Sequence, residues 1–317
     1  MTRLDTIEFT THTDFIQVMN VDSFTMTNIE KPNGINITSY SLNAKKLGIN
    51  KITINKTFET VKINASAKVL GSNYYQGISL NTLEQLLDEV NSTGLVLNKS
   101  FIHNCRVTKS DIKNDLTLSK CPIDYINTLN QLTAPKFIKT KYENGIVFNE
   151  SIATSPVRFT GYGKQYEMQK NKGFYIKYPQ LINDFNDVLR IESRLSKPFT
   201  IRKYFGSNQL LDVLNSSNIN YKILDKIINN QTIFKSIINI HQMNNFEEKN
   251  YAQIYLLNQY YNGDFNSIFN HIKSKLGRNT KASYQRKQIV KYMAMINNAN
   301  NDYSQENIEE IKMGLQE

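Results

Sequence analysis

Apolar and polar residues alternate with period two from the N-terminus to about residue 120. The pattern runs through "TIEFTT", "SFTMTNI", "GINITSYSL", "NKITINKTF", "TVKINASAKVL" and "FIHNCRVTKSD", all rich in β-branched side chains. Such spacing turns one face of a strand to a core and the other to water, so it predicts a half-buried antiparallel sheet. One helix interrupts it: in "SLNTLEQLLDEVNSTG" Leu80, Leu83, Leu86, Leu87 and Val90 form an apolar stripe, and Gly94 supplies the stop. A second amphipathic helix is expected over "CPIDYINTLNQLTA". Strand spacing returns in "KFIKTKYENGIVFNE", where Asn144-Gly145 marks a hairpin, and continues through "PVRFTGYGKQYEM" and "DVLRIESRL". After about residue 206 the period turns helical, through "NQLLDVLNSS", "YKILDKIINNQTIFKSIINIHQM", "EEKNYAQIYLLNQYY", "FNSIFNHIKSKLG" and "KASYQRKQIVKYMAMI". The chain therefore reads as α+β, with an antiparallel-sheet domain over residues 1–206 and an all-helical domain over 207–317.

Composition narrows the partners. The 317 residues are 40% hydrophobic and 11% aromatic, ample for a packed core and consistent with roughly two domains at ~150 residues each. Lysine and arginine number 38 against 28 acids, a formal net charge of +10, which favours a polyanion, nucleic acid before membrane. No window approaches the ~20 apolar residues that a bilayer span needs, and "MTRLDTIEFTTHTDF" lacks the apolar run of a signal peptide. The expected location is the cytoplasm. Cys105 and Cys121 are too few for a disulfide framework and too far apart for a CxxC motif, so they read as reduced thiols. The abundance of asparagine, isoleucine and lysine reads as the mark of an AT-rich genome rather than a demand of the fold.

Three stretches carry candidate chemistry. In "DVLRIESRL" a strand turns Leu189, Ile191 and Leu195 one way and Arg190, Glu192 and Arg194 the other. An isolated R-x-E-x-R is more often a solvated face of ion pairs, and its neighbours are what raise interest. In "CRVTKSDIKNDL", Lys109, Asp111 and Asp115 share parity, so a carboxylate from this strand and Glu192 from another could hold Mg2+ or Mn2+, hard ions that prefer oxygen ligands. Asp115 fits a turn cap equally well. In "GYGKQYEMQK", Tyr162 lies between Gly161 and Gly163, which let a large ligand approach the backbone. Phenol is a poor nucleophile at its ordinary pKa of ~10, and a nearby cation corrects that. Lys164 falls on the same face as Tyr162 in an extended strand, and Glu167 could accept a proton or add a metal ligand. Any one tyrosine among 18 is more often packing; the combination is what points to chemistry.

At these residues the sequence resembles the replication initiators of the filamentous-phage gene II/X family and, more distantly, the rolling-circle Rep proteins of small plasmids. The shared order appears here as "SAKVLGSNYYQGISLNTLEQLLDEV", "VTKSDIKND", "GYGKQYEMQK", "LRIESRL" and "KLGRNTKASYQRKQ", spanning about residues 60 to 290. The resemblance implies an HUH-like nuclease domain in permuted or degenerate form, followed by a helical DNA-binding domain. It implies a nucleophile at Tyr162, a phosphate-facing Lys164, and a metal site of Asp111 and Glu192; the residue pattern itself adds Asp115 and Glu167 as further candidate ligands. Arg190 and Arg194 would stabilise charge on the phosphate. Lys109 departs from the family, which more often has arginine there, and so loses a bidentate fork. The histidines His12, His103, His241 and His271 are scattered, so no H-x-H metal pair exists and each reads as structural.

Between His271 and Lys291 stand Lys273, Lys275, Arg278, Lys281, Arg286, Lys287 and Lys291, with Tyr284 among them and no acid. Two helices broken near Gly277-Arg278-Asn279 fit a helix-turn-helix over about residues 266–295 that grips DNA phosphates. A solvated helix face is the competing reading. The function expected is origin-specific, metal-dependent nicking of supercoiled or single-stranded DNA through a 5′-phosphotyrosine, with the host helicase and polymerase of a bacterial cell as further partners. The alternatives are a non-enzymatic origin-binding initiator or repressor, and a mobilisation relaxase. Tyr74-Tyr75 is the alternative nucleophile, ranked lower because no carboxylate or cation pattern surrounds it in the sequence.

Overall fold

The computed structural model describes residues 2–32, 34–43, 46–132, 134, 136–150, 157–170, 172–229, 245–261, 264–275, 282–299 and 302–316. Its strands are β1 (Leu4–His12), β2 (Ile16–Met19), β3 (Phe24–Glu30), β4 (Asn36–Leu42), β5 (Ile49–Asn55), β6 (Thr60–Ser66), β7 (Leu95–Leu97), β8 (Arg106–Thr117), β9 (Phe137–Tyr142), β10 (Gly145–Glu150), β11 (Val157–Gly163) and β12 (Val188–Leu195). The protein is α+β, with a large antiparallel sheet and many helices. It divides into two compact units, the first Met1–Asn114, Met168–Asn186 and Glu192–Ile219, the second Asp115–Glu167, Asp187–Ile191 and Asn220–Glu317. Strands end with β12, and the elements among the described residues after 206 are all helices, with a single bridge at Gln209. That helical region is shared between the units, 207–219 in the first and 220–317 in the second.

In the first unit the strand order is β3-β4-β5-β6-β1-β8-β12. The period-two pattern sets the register: Ile7 and Phe9 of β1 face Ala65 and Ile63 of β6, and all four are fully buried, each large side chain worth about 1.5–3 kcal/mol of burial. The helix Leu83–Asn91 buries Leu83, Leu86, Leu87 and Val90, four of the five positions of the stripe read from the sequence, while Leu80 falls in the 3-10 turn Leu80–Thr82 before it. Strand spacing in "TVKINASAKVL" ends at Ser66, where the chain turns into a 3-10 segment, Ala67–Gln76.

In the second unit the order is β8-β12-β11-β10-β9. β9 and β10 form the expected hairpin, closed by Glu143 and Asn144. The helix Pro122–Gln131 buries Tyr125, Ile126 and Leu129. The C-terminal helix Asp302–Gln316 is anchored beside it: Glu310 accepts from the Ser119 N–H (2.6 Å), the Ser119 hydroxyl (2.9 Å) and the Tyr125 hydroxyl, and Lys120 donates to Asn307 (2.7 Å). Burial would raise the Glu310 pKa, but these donors and the nearby Lys120 outweigh it and hold the carboxyl below its ordinary value. Helices Asn245–Tyr260, Phe265–Lys275 and Ala282–Ala299 share a core of Ile254, Ile268, Ile272, Ile289, Val290 and Met293. Asp264 caps the second of these, accepting from the N–H groups of Asn266 (3.2 Å) and Ser267 (3.1 Å).

Candidate active site

Tyr162 sits near the end of β11, half-buried and opposite Gly145 of β10. A Cβ on Gly145 would lie 3.0 Å from that of Tyr162, so the hairpin glycine makes room for the tyrosine. The flanking glycines serve packing rather than an approaching ligand, which corrects the sequence reading. A Cβ at Gly161 would meet Leu129 Cδ1 at 3.0 Å and Ile191 Cδ1 at 3.2 Å, and one at Gly163 would meet the Asn144 amide at 2.8 Å. Asn144 Nδ2 also donates to the Gly163 carbonyl (2.9 Å).

Lys164 is not a strand residue on the Tyr162 face. β11 stops at Gly163, and Lys164 opens the helix Lys164–Lys170. Its side chain is buried, donating to Glu167 one turn on (2.6 Å), and its ammonium lies 5.7 Å from the Tyr162 ring centroid. The two groups expected to act separately on phosphate and proton are thus tied to each other beside the tyrosine. A cleft of about 160 Å3 adjoins them, lined among others by Cys121, Asn144, Gln165, Tyr166 and Asp187.

The arginines of β12 meet the aspartates of β8. In the second unit Arg190, with its side chain 0% exposed, is bidentate to Asp115, Nη2 donating to Oδ2 at 2.9 Å and Nε to Oδ1. In the first unit Arg194 Nε and Nη2 donate to Asp111 Oδ1 (2.8 Å) and Oδ2 (2.7 Å). The two pairings step in opposite directions along their strands, the signature of antiparallel neighbours. Arg190 therefore does not face a phosphate as expected: burial and the Asp115 fork make it a structural cation. Arg194 remains 42% exposed, and its pKa is raised by the hydrogen bonds to Asp111, with Glu192 and Asp5 adding to the negative surroundings.

These pairings bear on the metal. Asp111 and Asp115 each carry an arginine fork and Glu167 carries Lys164, so three of the four carboxylates read as Mg2+ or Mn2+ ligands are engaged by cations, and the fourth, Glu192, is half-buried on β12 within the field of Arg194. Among the described residues no group of three His, Cys, Asp or Glu side chains comes together as a ligand set. The arrangement does not fit a divalent ion without opening one of these pairs.

Two features escaped the sequence. Lys113, of the same parity as Asp111 and Asp115, is buried; it donates to the Tyr75 carbonyl (2.8 Å) and lies 5.3 Å from the Tyr74 ring and 6.0 Å from that of Phe185. Gly77, at φ 67°, makes room for it, since a Cβ there would sit 2.8 Å from Lys113 Cε. Tyr74 thus has both a cation and a carboxylate, Asp5, which accepts from its hydroxyl (3.0 Å), contrary to the reason for ranking it low. Burial among Phe174, Tyr175 and Phe185 is what makes it a core residue. Tyr75 is exposed. Lys109 stands opposite Glu8 in the β1–β8 register; Glu8 itself takes Lys62 (2.7 Å) and Thr108 (2.8 Å).

Of the basic segment, Lys273, Lys275 and Lys287 are exposed, while Arg286 stacks 5.7 Å from the Phe269 ring and Lys291 5.4 Å from that of Tyr292. Arg278 and Lys281, with the expected turn, lie outside the described residues, as do the side chain of Tyr284 and His241. Cys105 is buried, which pushes its thiol pKa up, and Cys121 is exposed. Among the described residues no helix is long and apolar enough to cross a membrane. No family model, curated protein or solved structure matches this chain.

Proposed function

We propose that this chain is a rolling-circle replication initiator that nicks its origin through Tyr162. The observation that carries the reading is the half-buried tyrosine at the end of β11, with the Lys164 ammonium held beside its ring by Glu167. The phenol oxygen attacks the scissile phosphorus, the bond to the 3′-oxygen breaks, and a 5′-phosphotyrosine and a free 3′-hydroxyl result. Glu167 is the acceptor the sequence offers for the phenol's proton, and the Lys164 charge steadies the anion that forms as it leaves. The exposed lysines of helices Phe265–Lys275 and Ala282–Ala299 hold duplex phosphates, giving an affinity that falls steeply with salt.

Those same lysines support a second reading, an origin-binding initiator or repressor that performs no chemistry. Denaturing electrophoresis separates the two. A covalent protein–DNA adduct that disappears in Tyr162→Phe supports nicking; tight binding with neither adduct nor nick supports the second reading.

A further inference from the structure

We propose that the cleft beside Lys164 takes a single unpaired nucleobase of a DNA strand. This deepens the reading above by naming what the site next to Tyr162 recognises. At about 160 Å3 the cleft is smaller than the ~300–1,000 Å3 pockets that enclose a drug-sized ligand, so its occupant is a fragment, of the order of one planar ring. Its walls divide in the way a base requires. Ile123 and Val188 give the lining apolar character and Tyr166 an aromatic ring, whose hydroxyl donates to Glu143 and so ties the side chain in place. Asn144, Gln165 and Asp187 supply amide and carboxylate groups of the kind that pair with base edges.

Two local features hold these readers in place. Asn144 donates to the Gly163 carbonyl, and any side chain at Gly163 would collide with its amide, so its orientation is set by the backbone that follows Tyr162. Asp187 adopts φ 53°, a conformation uncommon outside glycine, asparagine and aspartate, at the turn that leads into β12. Gly163 and Lys164, which line the cleft, directly follow Tyr162 in the chain, so the base held there belongs to a nucleotide close to the phosphate under attack. A bare phosphate is the alternative occupant, since Lys164 also lines the cleft.

Fluorescence anisotropy with end-labelled single-stranded oligonucleotides tests this without any cleavage. The probes are short homopolymers of each base and an abasic strand of the same length and backbone. At least one homopolymer is expected to bind roughly ten-fold tighter than the abasic strand, the order expected for stacking one base on an aromatic ring. Tyr166→Ala and Asn144→Ala should remove that margin and leave abasic binding unchanged. Ile123→Trp, which crowds the cleft from an exposed position, should do the same and guards against a folding defect. Equal binding of all strands overturns the inference, and so does a loss of abasic binding in the variants, which would assign the cleft to phosphate. Tyr162→Phe should keep the margin. A protein that prefers bases yet never forms an adduct would leave the cleft assigned and defeat the nicking reading alone.

Discussion

Replacing Arg190 with methionine removes five N–H donors from a place where no water reaches and strands the Asp115 carboxylate, whose side chain is only 16% exposed. Removing one partner of such a buried pair costs about 3–5 kcal/mol, a large part of the ~5–15 kcal/mol that holds a domain folded. The Arg194–Asp111 pair has the same bidentate form but an arginine 42% exposed, which solvent screens, while the Asp111 carboxylate it would leave behind is only 5% exposed, so Arg194→Met should cost about 1–3 kcal/mol, less than Arg190→Met. Arg190→Met combined with Asp115→Leu should recover most of the single-variant loss, because two apolar side chains replace the pair without leaving a buried charge. Urea unfolding of the wild type, both single variants and the double variant measures these differences, and native-state hydrogen exchange of β12 amides localises them. An Arg190→Met protein that loses less than about 1 kcal/mol, or a double variant no more stable than the single, would refute the assignment of Arg190 to structure. Intact stability with lost DNA binding would return it to the phosphate.

Two other perturbations probe the second unit. Gly161→Ala would push a methyl against Leu129 and Ile191 at 3.0 and 3.2 Å, and overpacking of this kind should lower stability by about 1–3 kcal/mol in the same urea experiment; an unchanged midpoint would mean the two side chains retreat freely. Lys139 is buried with its ammonium donating to the carbonyls of Asn130 and Leu132, and burial pushes its pKa down to about 8. Between that value and the ordinary lysine value the unfolded chain binds the extra proton, so stability should rise with pH through this window. Below it, both states carry the charge and the burial cost stands in full. Wild type minus Lys139→Met, followed by urea midpoints from about pH 7 to 10, should show that rise, and a pH-independent difference would contradict it.

The sheet was legible because alternation is a local property. β6 alternates throughout and β1 and β5 over their later residues, and the register that buries Phe9 against Ile63 follows from it; β3 is exposed beyond Phe24 and β4 is only partly buried, so the half-buried pattern expected there does not hold. The helix Leu83–Asn91 was legible from its stripe for the same reason. The short helix Lys164–Lys170 was not: seven residues carry too little apolar period to announce a helix, and the strand spacing of β11 runs up to its first residue. The fate of the charges was hidden for a different cause. "LRIESRL" shows that Arg190 and Arg194 share a face, but their partners lie 75 and 83 residues away, and only the pairing of β8 with β12 decides that Asp115 meets one and Asp111 the other. Lys113 shows the limit most plainly. Nothing in "TKSDIKND" separates it from Lys109, yet one is half-buried at a sheet position opposite Glu8 and the other is enclosed by Tyr74 and Phe185.

The central claim is that Tyr162 is a nucleophile. Supercoiled DNA carrying the sequence around the coding region, and single strands derived from it, can be incubated with the protein and Mg2+ or Mn2+ and resolved under denaturing conditions. A labelled strand should migrate with the wild-type chain as a covalent adduct and be freed by protease, and Tyr162→Phe should abolish the adduct while binding the same DNA with unchanged affinity. An adduct that persists in Tyr162→Phe would contradict the assignment of the tyrosine, and wild-type protein that binds the DNA but never forms an adduct or a nick would contradict the reaction itself.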